Sequence, residues 1–130
     1  MSELAGFHHV ALTVRDLATS IEWYRRVLGF EEQFREEGDQ RRACVLRFAG
    51  GGTSIGLVQH GGGGAPFDPT VTGLDHLAFA VASAADLDAW ARRLDDAGVA
   101  HSGAIEVPPG AILNFKDPDG IALSLFWERG

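Results

Sequence analysis

The sequence predicts an α+β fold of two tandem βαβββ modules, and three observations support this prediction. His9 and His76 lie 67 residues apart, each at the start of a similar apolar strand. The motif Trp-x-Arg-Arg recurs at the same offset, in residues 23–26 and 90–93. Both copies also share one element order, a strand, a helix and three strands. Because internal repeats constrain a whole fold, the chain is interpreted as one unit present twice.

The first module is predicted to span about residues 5–60. Apolar Val10, Leu12 and Val14 alternate with other residues, which indicates a strand over 7–14. Helical spacing over 16–28 predicts a helix, begun by Asp16 or Thr19 and ended by Gly29. Three further strands follow, at 30–36, 42–49 and 53–60.

A glycine-rich segment, about residues 61–72, is predicted to be a flexible linker between the modules. The second module, about residues 73–128, should then repeat the first. Its helix is expected over 84–97, ended by Gly98, and a turn is expected over 117–120. Its strands are predicted near 74–81, 99–107, 111–115 and 121–127.

Composition narrows the class of protein. A chain of 130 residues with 45% hydrophobic residues is long enough for one domain with a real core. The net charge of −7 argues against nucleic acid and anionic membrane surfaces as partners, and mildly favours a cationic ligand. With one cysteine and no signal-like or membrane-spanning apolar segment, we expect a cytoplasmic protein.

The strands have two unlike faces. One face carries large apolar side chains, which should pack against the helices. The other carries small and polar residues, which leave room for a small-molecule pocket. A solvent-exposed sheet face or a dimer contact is the alternative interpretation. The predicted ligand cavity comprises His9, Ala11, Thr13, Gly56, Val58, His76, Ala78, Ser124 and Phe126.

Histidine at equivalent positions of both copies suggests a chemical role. Neutral imidazole is a common metal ligand, whereas a lone histidine is usually structural. A catalytic metal centre usually needs three protein ligands, often two histidines and a carboxylate. His9 and His76 are therefore the candidate metal ligands.

The whole chain resembles the vicinal oxygen chelate superfamily of glyoxalases, bleomycin-resistance proteins and extradiol dioxygenases. The resemblance rests on residues 7–17, 21–30, 75–81 and 115–120. It implies that the modules form an incomplete, cupped β-barrel around a cavity, and that the protein is a homodimer. In metal-dependent members, two further ligands come from strand positions that match Gly56 and Ser124. Glyoxalase-like members carry Glu or Gln there, and this chain carries neither.

Two functions follow as hypotheses. The first is a bleomycin-resistance type of protein without a cofactor, which sequesters a small molecule in the cavity between the modules. The alternative is a metal-dependent, glyoxalase-like lyase or isomerase, or an extradiol-type dioxygenase, using His9 and His76 with Zn, Ni, Mn or Fe. A histidine acting as a general base without metal is a variant of the second. A non-catalytic partner domain ranks last.

Overall fold

The computed structural model describes residues 2–130 and contains two compact units. One ends at Ala65, and the other comprises Pro66–Gly130. Each unit has the predicted order of a strand, a helix and three strands. All ten predicted elements are present, and their ends differ from the predicted ones by at most three residues.

The first unit is a four-stranded mixed sheet with one helix. The sheet has the order β1-β4-β3-β2, in which β1 and β4 are parallel and the other pairs antiparallel. Its elements are β1 (His9–Thr13), α1 (Leu17–Leu28), β2 (Glu31–Glu36), β3 (Arg41–Arg47) and β4 (Ser54–His60).

The second unit repeats this topology with the order β5-β8-β7-β6. Here β5 and β8 are parallel, and the other two pairs are antiparallel. Its elements are β5 (Leu77–Ala80), α2 (Ala84–Asp96), β6 (His101–Val107), β7 (Gly110–Lys116) and β8 (Ala122–Glu128). The predicted α+β fold of two βαβββ modules is therefore confirmed.

Helix α1 begins and ends at the predicted residues. Asp16 caps it, since its Oδ1 accepts a hydrogen bond from the Thr19 backbone N–H over 3.0 Å. Gln59 of β4 accepts a second bond from the Leu17 backbone N–H over 2.7 Å. Gly29 ends the helix with a φ of 80°, a left-handed conformation that glycine adopts without strain. In α2 the cap is Ala97, one residue before the predicted Gly98.

The core of each unit lies between its helix and the large apolar face of its sheet. In the first unit, Leu12, Leu57 and Leu46 are buried together with Tyr24 and Val27 of α1. In the second, the buried residues include Leu113, Leu123 and Leu125 of the sheet with Leu87 and Leu94 of α2. The predicted packing of this face is thus confirmed. Within residues 2–130, neither helix has the length and apolar character needed to cross a membrane.

Candidate functional site

The opposite face of each sheet carries the predicted cavity residues, and we call it the small-residue face. In the first unit, Ala11 pairs with Gly56 and Thr13 pairs with Val58 across β1 and β4. Gly56 and Val58 are buried, whereas His9, Ala11 and Thr13 are exposed. This small-residue face comprises His9, Ala11, Thr13, Ser54, Gly56 and Val58.

The small-residue face of the second unit extends over β7 as well as β5 and β8. Ala78 pairs with Ser124 across β5 and β8, and Asn114 pairs with Ser124 across β7 and β8. Since directly opposed residues share a face, β7 adds polar residues to it. The face comprises Ala78, Ala80, Ile112, Asn114, Lys116, Ala122, Ser124 and Phe126, with His76 directly preceding β5.

A cavity of about 640 Å³ lies in this second unit. Two residues of the predicted cavity, His76 and Ser124, line it. The other polar or charged residues that line it are Asp75, His101, Asn114 and Lys116.

Ser124 is almost fully buried, with 3% of its surface exposed. Its Oγ donates a hydrogen bond to Oδ1 of Asn114 over 2.8 Å. The hydroxyl that stands where the resemblance places Glu or Gln is therefore engaged by a neighbouring strand. Ser124 and Asn114 therefore give the cavity lining a polar pair without a carboxylate.

Asp75 orients His76. The Asp75 Oδ1 and His76 Nδ1 atoms are 2.7 Å apart, so the ring donates from Nδ1 to the carboxylate. Strand alternation would place Asp75 on the opposite side from His76. The alternation does not apply here because β5 begins only at Leu77. The Asp75 contact does not use Nε2 of His76.

Three other histidines, His8, His9 and His101, also make local contacts. The Nδ1 atoms of His8 and His9 are 2.9 Å apart, so one ring donates to the other. His101 approaches Asp95 Oδ1 through Nε2 over 2.7 Å, and its Nδ1 accepts from the Gly103 backbone N–H. Both ring nitrogens of His101 are thereby used, and neither remains for a ligand.

The residues at the expected metal positions do not fit a metal centre. Gly56 has no side chain that could bind a metal, and the Ser124 hydroxyl is bound to Asn114. In the part of the chain that the structure describes, no three His, Cys, Asp or Glu side chains are grouped to hold an ion. A Cβ built at Gly56 would meet the Ala11 Cβ at 3.4 Å, an ordinary contact, so the glycine is not required by packing.

Sequence reasoning missed Asn114 and Lys116 as site residues. It considered the faces of only the first and last strands of each module. The signal was present, because Ile112, Asn114 and Lys116 alternate with the buried Leu113 and Phe115. Phe115 itself is 4% exposed and lies on the core side of β7.

Cys44 has no role at this site. It pairs with Leu57 on the core side of β3 and is 1% exposed. Burial raises the pKa of its thiol to about 11, which keeps the group protonated near neutral pH. It is a small buried apolar residue.

The fold agrees with the family comparison. Residues 6–125 match the model of the Glyoxalase/Bleomycin resistance protein/Dioxygenase superfamily. The chain belongs to this superfamily, as its resemblance predicts. A comparison with curated proteins gives no significant match.

Solved structures include a similar domain, described as glyoxylase/bleomycin resistance protein/dioxygenase, from Frankia sp. EAN1pec. It is 45% identical, with a TM-score of 0.91 over 98% of this chain and 100% of that one. TnmS3, an antibiotic binding protein from Streptomyces sp. CB03234, is 23% identical, with a TM-score of 0.78 over 99% and 100%. The fosfomycin resistance protein FosX from Listeria monocytogenes is 21% identical, with a TM-score of 0.75 over 98% and 94%. The last two likenesses establish the fold alone.

Proposed function

We propose that this chain binds a small organic molecule against the small-residue face of its second unit, without a complete metal centre. The observation that carries the proposal is the cavity of about 640 Å³ in the second unit. Its volume lies within the range of about 300 to 1,000 Å³ that is usual for small-molecule sites. Small side chains such as Ala122 leave this space, and Ser124 and Asn114 supply polar groups that orient a ligand.

The relatives support binding as the shared property. TnmS3 is described as an antibiotic binding protein. A FosX variant was crystallised with Mn(II) and 1S,2S-dihydroxypropylphosphonic acid. Ligand sequestration requires only a shaped cavity, whereas metal-assisted chemistry also requires donors that Gly56 and Ser124 do not provide.

The experiment is a binding screen by isothermal titration calorimetry, with bleomycin and fosfomycin as the first two compounds. Ala78→Trp places a large ring at an exposed position of β5, next to its strand partner Ser124, which lines the cavity, so we expect it to abolish binding. Ala89→Trp adds the same ring at an exposed position of α2 and is the control. If Ala78→Trp binds the compound as tightly as Ala89→Trp does, the proposed location on the small-residue face is contradicted.

The contact between Asp75 and His76 favours a second candidate, metal-independent proton transfer. A histidine that is oriented by a carboxylate at Nδ1 can act as a general base through Nε2. Any compound that binds can be followed by NMR in D2O. Exchange of a carbon-bound ligand proton that disappears in His76→Gln would support catalysis, and an unchanged spectrum supports sequestration.

A further inference from the structure

Lys116 is the only lysine of the chain, and it lines the cavity of the second unit. It pairs with Ala122 across β7 and β8, next to the pair of Asn114 and Ser124. Within residues 2–130, its ammonium forms no ion pair or hydrogen bond. A cation in this position is available to a ligand.

Asn114 adds a second donor beside Lys116. Its Oδ1 accepts a hydrogen bond from Ser124. The carbonyl oxygen of the amide is therefore engaged, and its NH₂ group is not. Across the described residues, no protein acceptor engages this NH₂ group. Asn114 and Lys116 are two residues apart on one strand, so they share a face and lie about 7 Å apart along β7.

The other charged or titratable groups of the cavity are already partnered. Asp75 is its one carboxylate, and His76 binds it over 2.7 Å. His101 uses both ring nitrogens within the protein. The hydrogen-bond donors left for a ligand are therefore those of Lys116 and Asn114, beside the Nε2 atom of His76.

The positive charge of Lys116 is opposite in sign to the net charge of the second unit. Residues 66–130 hold ten acidic side chains and four basic ones. Of the four, Arg92 and Arg93 lie on α2, and Arg129 lies over the Trp127 ring at 5.3 Å. The single cation of the small-residue face is Lys116. The net charge of the chain therefore does not indicate the charge of its ligand.

We propose that this cavity binds the oxyanion of an organic acid, with Lys116 supplying the charge and Asn114 a hydrogen bond. The inference rests on the proposed binding function and specifies its ligand class. A carboxylate and a phosphonate share the required chemistry, because each offers charged oxygen acceptors to an ammonium and an amide. A cationic ligand would be repelled by the positive charge of Lys116.

The test uses four probes that share one phenyl ring: benzoate, phenylphosphonate, neutral benzamide and cationic benzamidine. Affinities are measured by NMR titration of the wild-type protein at constant ionic strength. We expect one or both anions to bind at least about tenfold more tightly than benzamide, and benzamidine to bind most weakly. Tighter binding of phenylphosphonate than of benzoate would assign the phosphonate class, and the reverse order the carboxylate class.

Three variants separate the local effect from the general charge. Lys116→Met should weaken binding of the anions about tenfold and leave benzamide unchanged. Arg92→Met removes one positive charge from the same unit at an exposed position and should change nothing. Asn114→Asp keeps an acceptor for Ser124 but adds a negative charge, and should abolish anion binding.

Two results would overturn the inference. One is equal affinity for benzoate, benzamide and benzamidine, and the other is an equal effect of Lys116→Met and Arg92→Met. Binding of benzamidine or benzamide that Ala78→Trp abolishes would keep the proposed function while removing this ligand class. If none of the four probes binds at millimolar concentration and the first screen is also negative, both proposals fail.

Discussion

Ser124 donates a hydrogen bond to Asn114 across β7 and β8, between two residues that are direct partners in the sheet. This contact joins a residue that the sequence places at the site to one that it does not. It holds the Asn114 carbonyl oxygen against the buried Ser124 hydroxyl and leaves the amide NH₂ group to donate to a ligand. The site is therefore defined by a pair of strands, and a single strand pattern does not identify it.

The pair should contribute measurably to stability. A neutral hydrogen bond of this kind contributes about 0.5 to 1.5 kcal/mol to the free energy of unfolding. We expect a coupling energy of this size in a double-mutant cycle of Ser124→Ala and Asn114→Ala, measured by urea denaturation. Additive effects of the two substitutions would contradict the contact.

Because Gly56 and Ser124 stand where the resemblance implies Glu or Gln, we predict that the wild-type protein binds metal weakly. Substitution should strengthen that binding. We expect the wild-type protein to retain no stoichiometric Ni or Zn after desalting, measured by elemental analysis. Ser124→Glu adds, within the second unit, one of the carboxylates that the resemblance implies, in the cavity that His76 also lines. This variant should therefore retain more metal than the wild type.

The matched control is Ser124→Glu combined with His76→Ala. It should lose the gained metal, because the carboxylate then lacks its imidazole partner. Equal metal retention in all three proteins would show nonspecific binding and contradict the ligand assignment. Stoichiometric metal in the wild type would contradict the proposed metal-free site.

Local signals account for the elements that the sequence predicts well. Alternation in β1, β4 and β8, the Asp16 cap and the Gly29 end act within a few residues, so sequence reveals them. The repeat then identifies the topology of the second unit from the first. The small-residue face is likewise a period-two pattern that can be followed along a strand.

Contacts between strands account for what the sequence does not reveal. The Ser124–Asn114 bond depends on the β7–β8 register, and no local pattern fixes that register. Asp75 meets His76 because β5 begins later than the alternation indicates. The availability of Lys116 also depends on which carboxylates lie near it, and that is a property of packing.

Burial of Cys44 predicts a pH dependence of stability. The thiol has a pKa of about 11 in the native protein, against an ordinary value of 9.0. Above pH 9 the unfolded chain loses this proton first, so the native state binds more protons and its stability falls toward pH 11. Below pH 9 the contribution is fully present.

The measurement is the urea midpoint of the wild type and of Cys44→Ala at pH 8 and pH 10.5. The wild type should lose more stability over this interval than the variant does. The native thiol should also react slowly with a thiol reagent at pH 8, and quickly after unfolding. Equal losses in the two proteins would contradict the raised pKa.

Asp117 should stabilise the turn that positions β7 and β8. Its side chain is 6% exposed, and its Oδ1 accepts from the backbone N–H groups of Asp119 and Ile121, each over 2.9 Å. Hydrogen bonds to a charged group contribute about 1.5 to 3 kcal/mol. Asp117→Ala should therefore lower the free energy of unfolding by at least about 2 kcal/mol in urea denaturation.

Asp117→Asn is the matched variant, because its amide oxygen still accepts both bonds while the charge is lost. We expect it to lose less stability than Asp117→Ala. Lys116 and Ala122 flank this turn, so Asp117→Ala should also weaken binding of any anion that Lys116 holds, while Asp117→Asn preserves it. Equal stability of the two variants would show that the Oδ1 bonds do not support the turn.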